Sequence, residues 1–155
     1  MYLCSVFQNS IIAMADYDDN KSWLKIERDN LIRTIHKRII NESGINKHYL
    51  TRSVVAQQIQ KYSAPRFYID TRRCRELVNG YNAGTLKCSA LTLAMARDLA
   101  ECYEEVCNAY PNKSMEDKWQ LTVEHPAKSF YLSKLRIIEI VFQYHDRKAV
   151  KKLAQ

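Results

Sequence analysis

One segment of the chain occurs twice. Residues 67–78 read FYIDTRRCRELV and residues 130–141 read FYLSKLRIIEIV, so the second copy follows the first by 63 positions. In each copy an aromatic pair precedes a good helix N-cap, Asp70 or Ser133. A stretch whose apolar residues have helical spacing follows the cap. We interpret this as an internal duplication of an all-α unit of about 60 residues. The alternative is a chance similarity between two capped helices.

Glycine and proline are scarce, with three of each in 155 residues, which leaves little turn material for a sheet and favours helices. The apolar periodicity predicts a six-helix, all-α single domain built from a duplicated three-helix unit. The predicted helices cover residues 21–41, 53–62, 71–79 and 89–110, a shorter one through Met115, Trp119 and Val123, and a final one at 133–145. The segment NGYNAGT, residues 79–85, is predicted to be a turn.

These helices divide the chain into a flexible N-terminal arm at 1–20, helical repeat 1 at 21–82, helical repeat 2 at 89–146 and a basic tail at 147–155. Met14 is an alternative start to Met1. No apolar run approaches the roughly 18 residues that span a bilayer, so no membrane partner is expected. The five cysteines form an odd set without metal-ligand spacing, which favours a reducing, cytoplasmic setting.

The two copies share some positions and differ at others. Phe67 and Phe130 are expected to anchor the two extended FY segments in the core. Residues three positions apart in each third helix predict local ion pairs, namely Arg73 with Glu76 and Arg136 with Glu139.

The differing positions are Arg72, Arg75 and Asn79 in copy one against Leu135, Ile138 and Phe142 in copy two. Copy one is therefore expected to face a polar partner. The apolar helix 133–145 is expected to be covered on every side, by the core, by a protein partner or by a second copy of the chain.

A net charge of +7 and a pI near 9.2 favour a polyanionic partner. Residues 50–81 have the layout of a helix-turn-helix, whose second helix reads double-stranded DNA in the major groove. On this hypothesis Arg72, Arg75 and Asn79 contact bases, and phosphates are contacted by Arg66, Arg52, Lys61, Lys151 and Lys152. The alternative is that the basic face is simply solvated. Tyrosines at 49, 62, 68 and 81 lie among basic residues, and stacking on single-stranded bases is a further alternative.

No catalytic signature accompanies these features. The four histidines, His36, His48, His125 and His145, are scattered and fit no metalloprotease or nucleophile motif. The acidic run at 16–19 lacks the central glycine and the terminal glutamate of a calcium loop. We therefore expect a non-enzymatic protein without catalytic residues, metal or cofactor.

The strings SAPRFYID and HPAKSFYLS share a pattern of proline, Phe-Tyr, an aliphatic residue and Ser or Asp. This pattern resembles that of small uncharacterised helical proteins of gut Bacteroidetes bacteria and their phages. The resemblance implies a phage or mobile-element setting, with the protein in the host cytoplasm or the virion. Two functions stay open: a basic DNA-binding regulator, or a phage virion or head-tail adaptor that works through protein contacts.

Overall fold

A computed structural model describes the backbone of residues 3–44 and 50–143 and the side chains of residues 23–44 and 50–142. Its helices are α1 (Leu3–Ser43), α2 (Arg52–Gln60), α3 (Thr71–Ala83), α4 (Ala90–Ala109), α5 (Met115–Glu124) and α6 (Lys134–Ile138), followed by a π-helical segment, Glu139–Gln143. The described residues contain no β-strand, and their only β-type pairing is an isolated bridge between Ala64 and Ala127. The predicted all-α class is confirmed.

Side-chain oxygens cap α3 and α6 where the sequence predicts them. Asp70 accepts a hydrogen bond from the Arg73 backbone N–H at 2.7 Å, and Ser133 accepts one from that of Arg136 at 3.2 Å. Thr51 caps α2 and Ser114 caps α5 in the same way. Thr51 and Ser114, like Asp70 and Ser133, are 63 positions apart. The spacing between the copies therefore extends to both of their shorter helices.

Helix α3 is longer than predicted, because it continues through the expected turn at 79–85 and ends at Ala83. Gly80 lies within it, and a Cβ there would be 2.5 Å from Leu86 Cδ2. This close approach gives Gly80 a packing role in place of a turn role. Gly84, with φ of 68°, then ends the helix in the left-handed conformation. The prediction of a turn beginning at Asn79 was therefore wrong.

Helix α1 also exceeds its predicted range, since it begins at Leu3 and crosses the predicted boundary between arm and repeat 1 at residue 20. The division into arm, two repeats and tail stays a prediction. Of the predicted helix 133–145, the structure describes the part up to residue 143, and the tail lies outside the described residues. The last described turn is π-helical.

The helices pack in two groups. Group A contains α1, α2, α6 and the π-helical segment, and group B contains α3, α4 and α5. Every extensive helix–helix contact among the described residues falls within one of these groups. Each group thus takes two helices from one predicted repeat and the third helix from the other. Since α2 and α3 pack in different groups, whereas the two helices of a helix-turn-helix pack on each other, that prediction is not confirmed.

Two connectors, residues 61–70 and 125–133, join the groups and contact each other. Ala64 N–H donates to Ala127 O at 3.0 Å, and Ala127 N–H donates back at 2.9 Å. The aromatic pairs stack crosswise, Phe67 on Tyr131 with centroids 5.9 Å apart and Tyr68 on Phe130 at 6.1 Å. Contacts between equivalent positions are therefore reciprocal, as in a twofold arrangement. The duplication stays a hypothesis with which this geometry agrees.

The core is continuous from group A through the connectors to group B. Phe67 and Phe130 are buried in it, as expected. Leu135 is 75% exposed, so the described residues alone do not cover the apolar helix of copy two on every side, and its cover by a partner or a second copy stays a prediction. The neighbouring residues Ile137 and Ile140 are buried, because α2 and α1 cover one side of α6 and the π-helical segment and leave the other open.

Candidate nucleic-acid interface

The predicted base-contacting side chains lie on one side of α3. The cap at Asp70 starts the helix so that Arg72, Arg75 and Asn79, at spacings of three and four, share a face. All three are exposed. The structure therefore brings these three predicted residues together.

A groove of about 480 Å³ runs between α3 and α5. Thr71, Arg72 and Arg75 line one side, and the other side is lined by Glu116, Asp117, Gln120 and the buried Trp119. The two carboxylates belong to the first turn of α5, where the positive end of the helix dipole stabilises them. A DNA phosphate approaching this groove would meet both arginines and both carboxylates. The mixed charge weakens α3 as a surface for DNA.

Two of the arginines of α3 also form ion pairs within the helix. Glu76 lies 3.3 Å from Arg73 Nη1 and 3.9 Å from Arg72 Nε. The equivalent pair in copy two, Arg136 with Glu139, is 2.7 Å long. Both predicted i, i+3 pairs are confirmed. Because they are exposed, each contributes only about 0 to 1 kcal/mol to stability.

The three predicted phosphate contacts within the described residues lie at separate places. Arg52 begins α2, where its guanidinium lies over the Phe142 ring at 4.9 Å from the centroid, and the Phe142 and His36 rings meet edge to face with centroids 5.3 Å apart. Lys61 is exposed at the C-terminal end of α2. Arg66 is half-buried in the first connector. Lys151 and Lys152 lie outside the described residues.

Charge is divided unequally between the two helix groups. Residues 23–44, 50–61 and 131–142, the part of group A whose side chains are described, carry nine Lys and Arg against four Asp and Glu, a net charge of +5. Residues 3–22 of α1 add three Asp and one Lys, which brings the whole of group A to +3. Residues 62–130, which hold group B and most of both connectors, carry nine of each sign and are neutral. The positive surface of the described chain therefore belongs to group A. Its exposed members include Lys37 and Arg38 at the end of α1, which the sequence analysis did not assign to the site.

A buried carboxylate, also missed by the sequence analysis, lies in group B. Asp98 of α4 is 4% exposed and accepts a 2.6 Å hydrogen bond from the Tyr131 hydroxyl. Burial and this hydrogen bond raise the pKa of Tyr131 well above its ordinary value. Tyr131 holds a left-handed backbone conformation, with φ of 52°. An acidic residue within the apolar stripe of α4 was the sequence signal for this buried pair.

One arrangement in group B resembles a nucleophile pair. Cys102 Sγ lies 3.6 Å from His125 Nδ1. Burial, Glu105 and Asp98 raise the pKa of the Cys102 thiol, which keeps it protonated at neutral pH. A reactive cysteine needs the opposite shift. Among the described residues no cluster of His, Cys, Asp and Glu is arranged to hold a metal.

Within the described ranges no helix combines the length and the apolarity needed to cross a bilayer. Comparison with known proteins found that no protein-family model, no curated protein and no solved structure matches this chain.

Proposed function

We propose that this chain is a non-enzymatic all-α module that binds double-stranded DNA through the exposed side of group A. The observation that carries the proposal is the charge division, with a net +5 on residues 23–44, 50–61 and 131–142 of group A against zero on residues 62–130. Lysine and arginine that neutralise phosphates supply most of the affinity of such proteins for DNA.

The proposed surface runs along the exposed side of group A. Lys37, Arg38 and Arg52 lie at one end of it; Lys61 and Lys134 lie at the other, where Gln60 Nε2 of α2 donates to Leu132 O, just before α6, at 3.0 Å; all five side chains are exposed. Arg52 and α1 are linked through Phe142, which contacts both Arg52 and His36. The N-terminal turn of α2 contains no acidic residue, so its dipole adds to the positive potential. The tail, with Arg147, Lys148, Lys151 and Lys152, follows group A in the chain.

In this proposal α3 has a smaller role than the sequence analysis gave it. Glu116 and Asp117 face Arg72 and Arg75 across the groove, and Glu76 pairs with two of the arginines of α3. We retain Arg72, Arg75 and Asn79 as the competing interface, which the experiment distinguishes from group A.

The test is binding to random double-stranded DNA over a salt series, with two variants that each remove four positive charges. One variant carries Lys37→Gln, Arg38→Gln, Arg52→Gln and Lys61→Gln in group A. The matched control carries Arg72→Gln, Arg75→Gln, Lys87→Gln and Lys113→Gln, which are also exposed. The group A variant is expected to bind more weakly and to reduce the slope of log affinity against log salt by about 0.9 for each phosphate that it no longer neutralises. The control should keep the slope of the wild type.

A weaker affinity in the control than in the group A variant would place the interface on α3. The absence of binding by the wild-type protein at low salt would overturn the DNA proposal altogether. Both variants need to unfold at the wild-type denaturant midpoint for the comparison to count, since Arg52 packs on Phe142.

The second candidate, a phage virion or head-tail adaptor, is favoured by a specific observation. Leu135 on α6 is 75% exposed, and Ile138, three positions further along the same side of the helix, is only half-buried. Apolar side chains exposed side by side are typical of a protein interface. A defined oligomer that Leu135→Lys dissolves, together with no affinity for DNA, would support this function. The phage setting and a place in the host cytoplasm or the virion belong to the same proposal.

A further inference from the structure

A cavity of about 110 Å³ lies where the two connectors meet. Its walls are residues 66–69 of the first connector, residues 129–132 of the second, Arg28 of α1 and Met95 of α4. The cavity therefore touches both helix groups. No residue of the proposed group A surface lines it.

One of its two arginines has no counter-ion among the described residues. Arg28 bonds Asp29 twice, at 2.9 and 2.8 Å, so its charge is neutralised. Arg66 is half-buried, and its one hydrogen bond within the described part of the chain is a long one, from Nε to Phe67 O at 3.4 Å. A partly desolvated guanidinium without a carboxylate is costly, and a bound anion would remove that cost. Arg66, which is predicted to contact DNA phosphate, lines this cavity.

The hydroxyl of Tyr68 is a second unsatisfied group on the same wall. It is buried and has no hydrogen-bond partner within residues 23–44 and 50–142. The equivalent hydroxyl in copy two, that of Tyr131, does have a partner in Asp98.

Burial and the charge of Glu27 of α1 raise the pKa of Tyr68, and Arg66 and Arg28 lower it, but Glu27 makes no hydrogen bond to the hydroxyl. A buried hydroxyl without a partner is rare and indicates a missing acceptor. An anionic oxygen between Arg66 and Tyr68 would supply one.

The other walls are mostly apolar. Phe67, Phe130, Ile69, Leu132 and Met95 line the cavity, and the Ser129 hydroxyl already accepts the Tyr131 backbone N–H at 3.1 Å. Inorganic phosphate would leave most of its oxygens unbonded against these walls. The space is somewhat smaller than a cavity of about 150 Å³ that accommodates benzene. The walls thus suit one anionic head on a compact apolar body.

We propose that this cavity binds a small monocarboxylate, with its carboxylate bonded to Arg66 and the Tyr68 hydroxyl and its short carbon chain against the aromatic rings. The ligand would contact connector residues, α1 and α4 at once. Binding therefore stabilises the folded chain as the ligand concentration rises above its dissociation constant. This inference goes beyond the proposed DNA function and does not depend on it.

The probe is sodium butyrate, titrated at constant ionic strength, with the Met95 methyl signal and the unfolding temperature as readouts. The neutral isostere butyramide and inorganic phosphate are the matched ligands. We expect butyrate to shift the Met95 signal and raise the unfolding temperature, and butyramide and phosphate to do neither. A response to butyramide equal to that to butyrate, a stronger response to phosphate, or no response to butyrate would overturn the proposal.

The variants are Arg66→Gln, Arg66→Lys and Tyr68→Phe, with Arg73→Gln as the control. Loss of a charged hydrogen bond corresponds to a loss of affinity of about tenfold or more, which we expect for Arg66→Gln. Arg66→Lys should recover part of the affinity, and this recovery separates a charge effect from misfolding. Arg73 is exposed, belongs to α3 and pairs with Glu76, so Arg73→Gln should bind as the wild type does. Equal affinity in the wild type and in a folded Arg66→Gln variant would also overturn the proposal.

Discussion

Ala64 and Ala127 exchange two backbone hydrogen bonds of 3.0 and 2.9 Å, although 63 residues separate them. They occupy equivalent positions in the two copies of the repeated segment. Around them the connectors stack Phe67 on Tyr131 and Tyr68 on Phe130. The connectors therefore cross at the point beyond which the third helix of each half packs against the first two helices of the other half.

The first prediction concerns this exchange. Fragments 1–86 and 87–155 should each show little helical structure alone as monomers, because α2 needs α6 and α3 needs α4 and α5 to cover its apolar face. Mixed in equal amounts, they should form a one-to-one complex with the circular dichroism spectrum of the intact chain. A fragment that folds alone as a stable monomer would contradict the exchanged packing.

The anchoring phenylalanines should matter far more than the arginines of α3. Phe67 is 2% exposed and Phe130 is 7% exposed. Replacement of either by alanine should cost about 3 to 5 kcal/mol of unfolding free energy. The double change Arg72→Ala and Arg75→Ala, on an exposed face, should stay within about 1 kcal/mol. Urea denaturation measures both, and equal losses would show that the two sets do not differ as core and surface.

The buried pair in group B provides a third prediction. Tyr131→Phe removes the 2.6 Å hydrogen bond to Asp98, and we expect a loss of about 1.5 to 3 kcal/mol because the acceptor is a buried carboxylate. The matched control is Tyr68→Phe, the equivalent position in copy one, whose hydroxyl has no partner within the described ranges. That change should be close to neutral without ligand. A double-mutant cycle with Asp98→Asn isolates the interaction, and additive losses would argue against it.

Stability should also fall at alkaline pH. Burial, then Cys102 and Asp70, raise the pKa of the Cys74 thiol from 9.0 to about 12. Above pH 9 the unfolded chain loses this proton while the folded chain keeps it, so unfolding becomes easier as pH rises from about 9 to 12. This one group lowers the unfolding free energy by up to about 1.4 kcal/mol per pH unit in that window. Its contribution is fully present below pH 9.

Denaturant midpoints measured between pH 8 and 11 test this, with Cys74→Ala against Cys88→Ala, whose thiol is exposed in the wild type. Tyr68 and Tyr131 also have raised pKa values and add to the decline above pH 10 in all three proteins. The slope should therefore be shallower in Cys74→Ala and unchanged in Cys88→Ala. Identical slopes in the two variants would show that the Cys74 thiol is not protected from ionisation.

The sequence by itself determined the all-α class, the N-caps at Asp70 and Ser133, and the burial of Phe67 and Phe130. These features depend on local signals: a short side-chain oxygen satisfies free N–H groups within one turn, and aromatic residues in a connector bury wherever the core lies. The charges of α3 could also be read from the sequence. Their acidic neighbours Glu116 and Asp117 could not, because some 40 residues of chain separate the two helices.

Only the tertiary structure decided which helices share a core. Both halves offer apolar stripes of similar size, so hydrophobic patterning alone does not distinguish α3 from α6 as the partner of α2. Because the connectors cross at Ala64 and Ala127, α3 packs in the neutral group B and α6 packs with α1 and α2. The net positive charge therefore lies on group A. Packing decides which charged helices lie side by side on one surface. For this reason the structure favours group A over α3 as the proposed DNA interface.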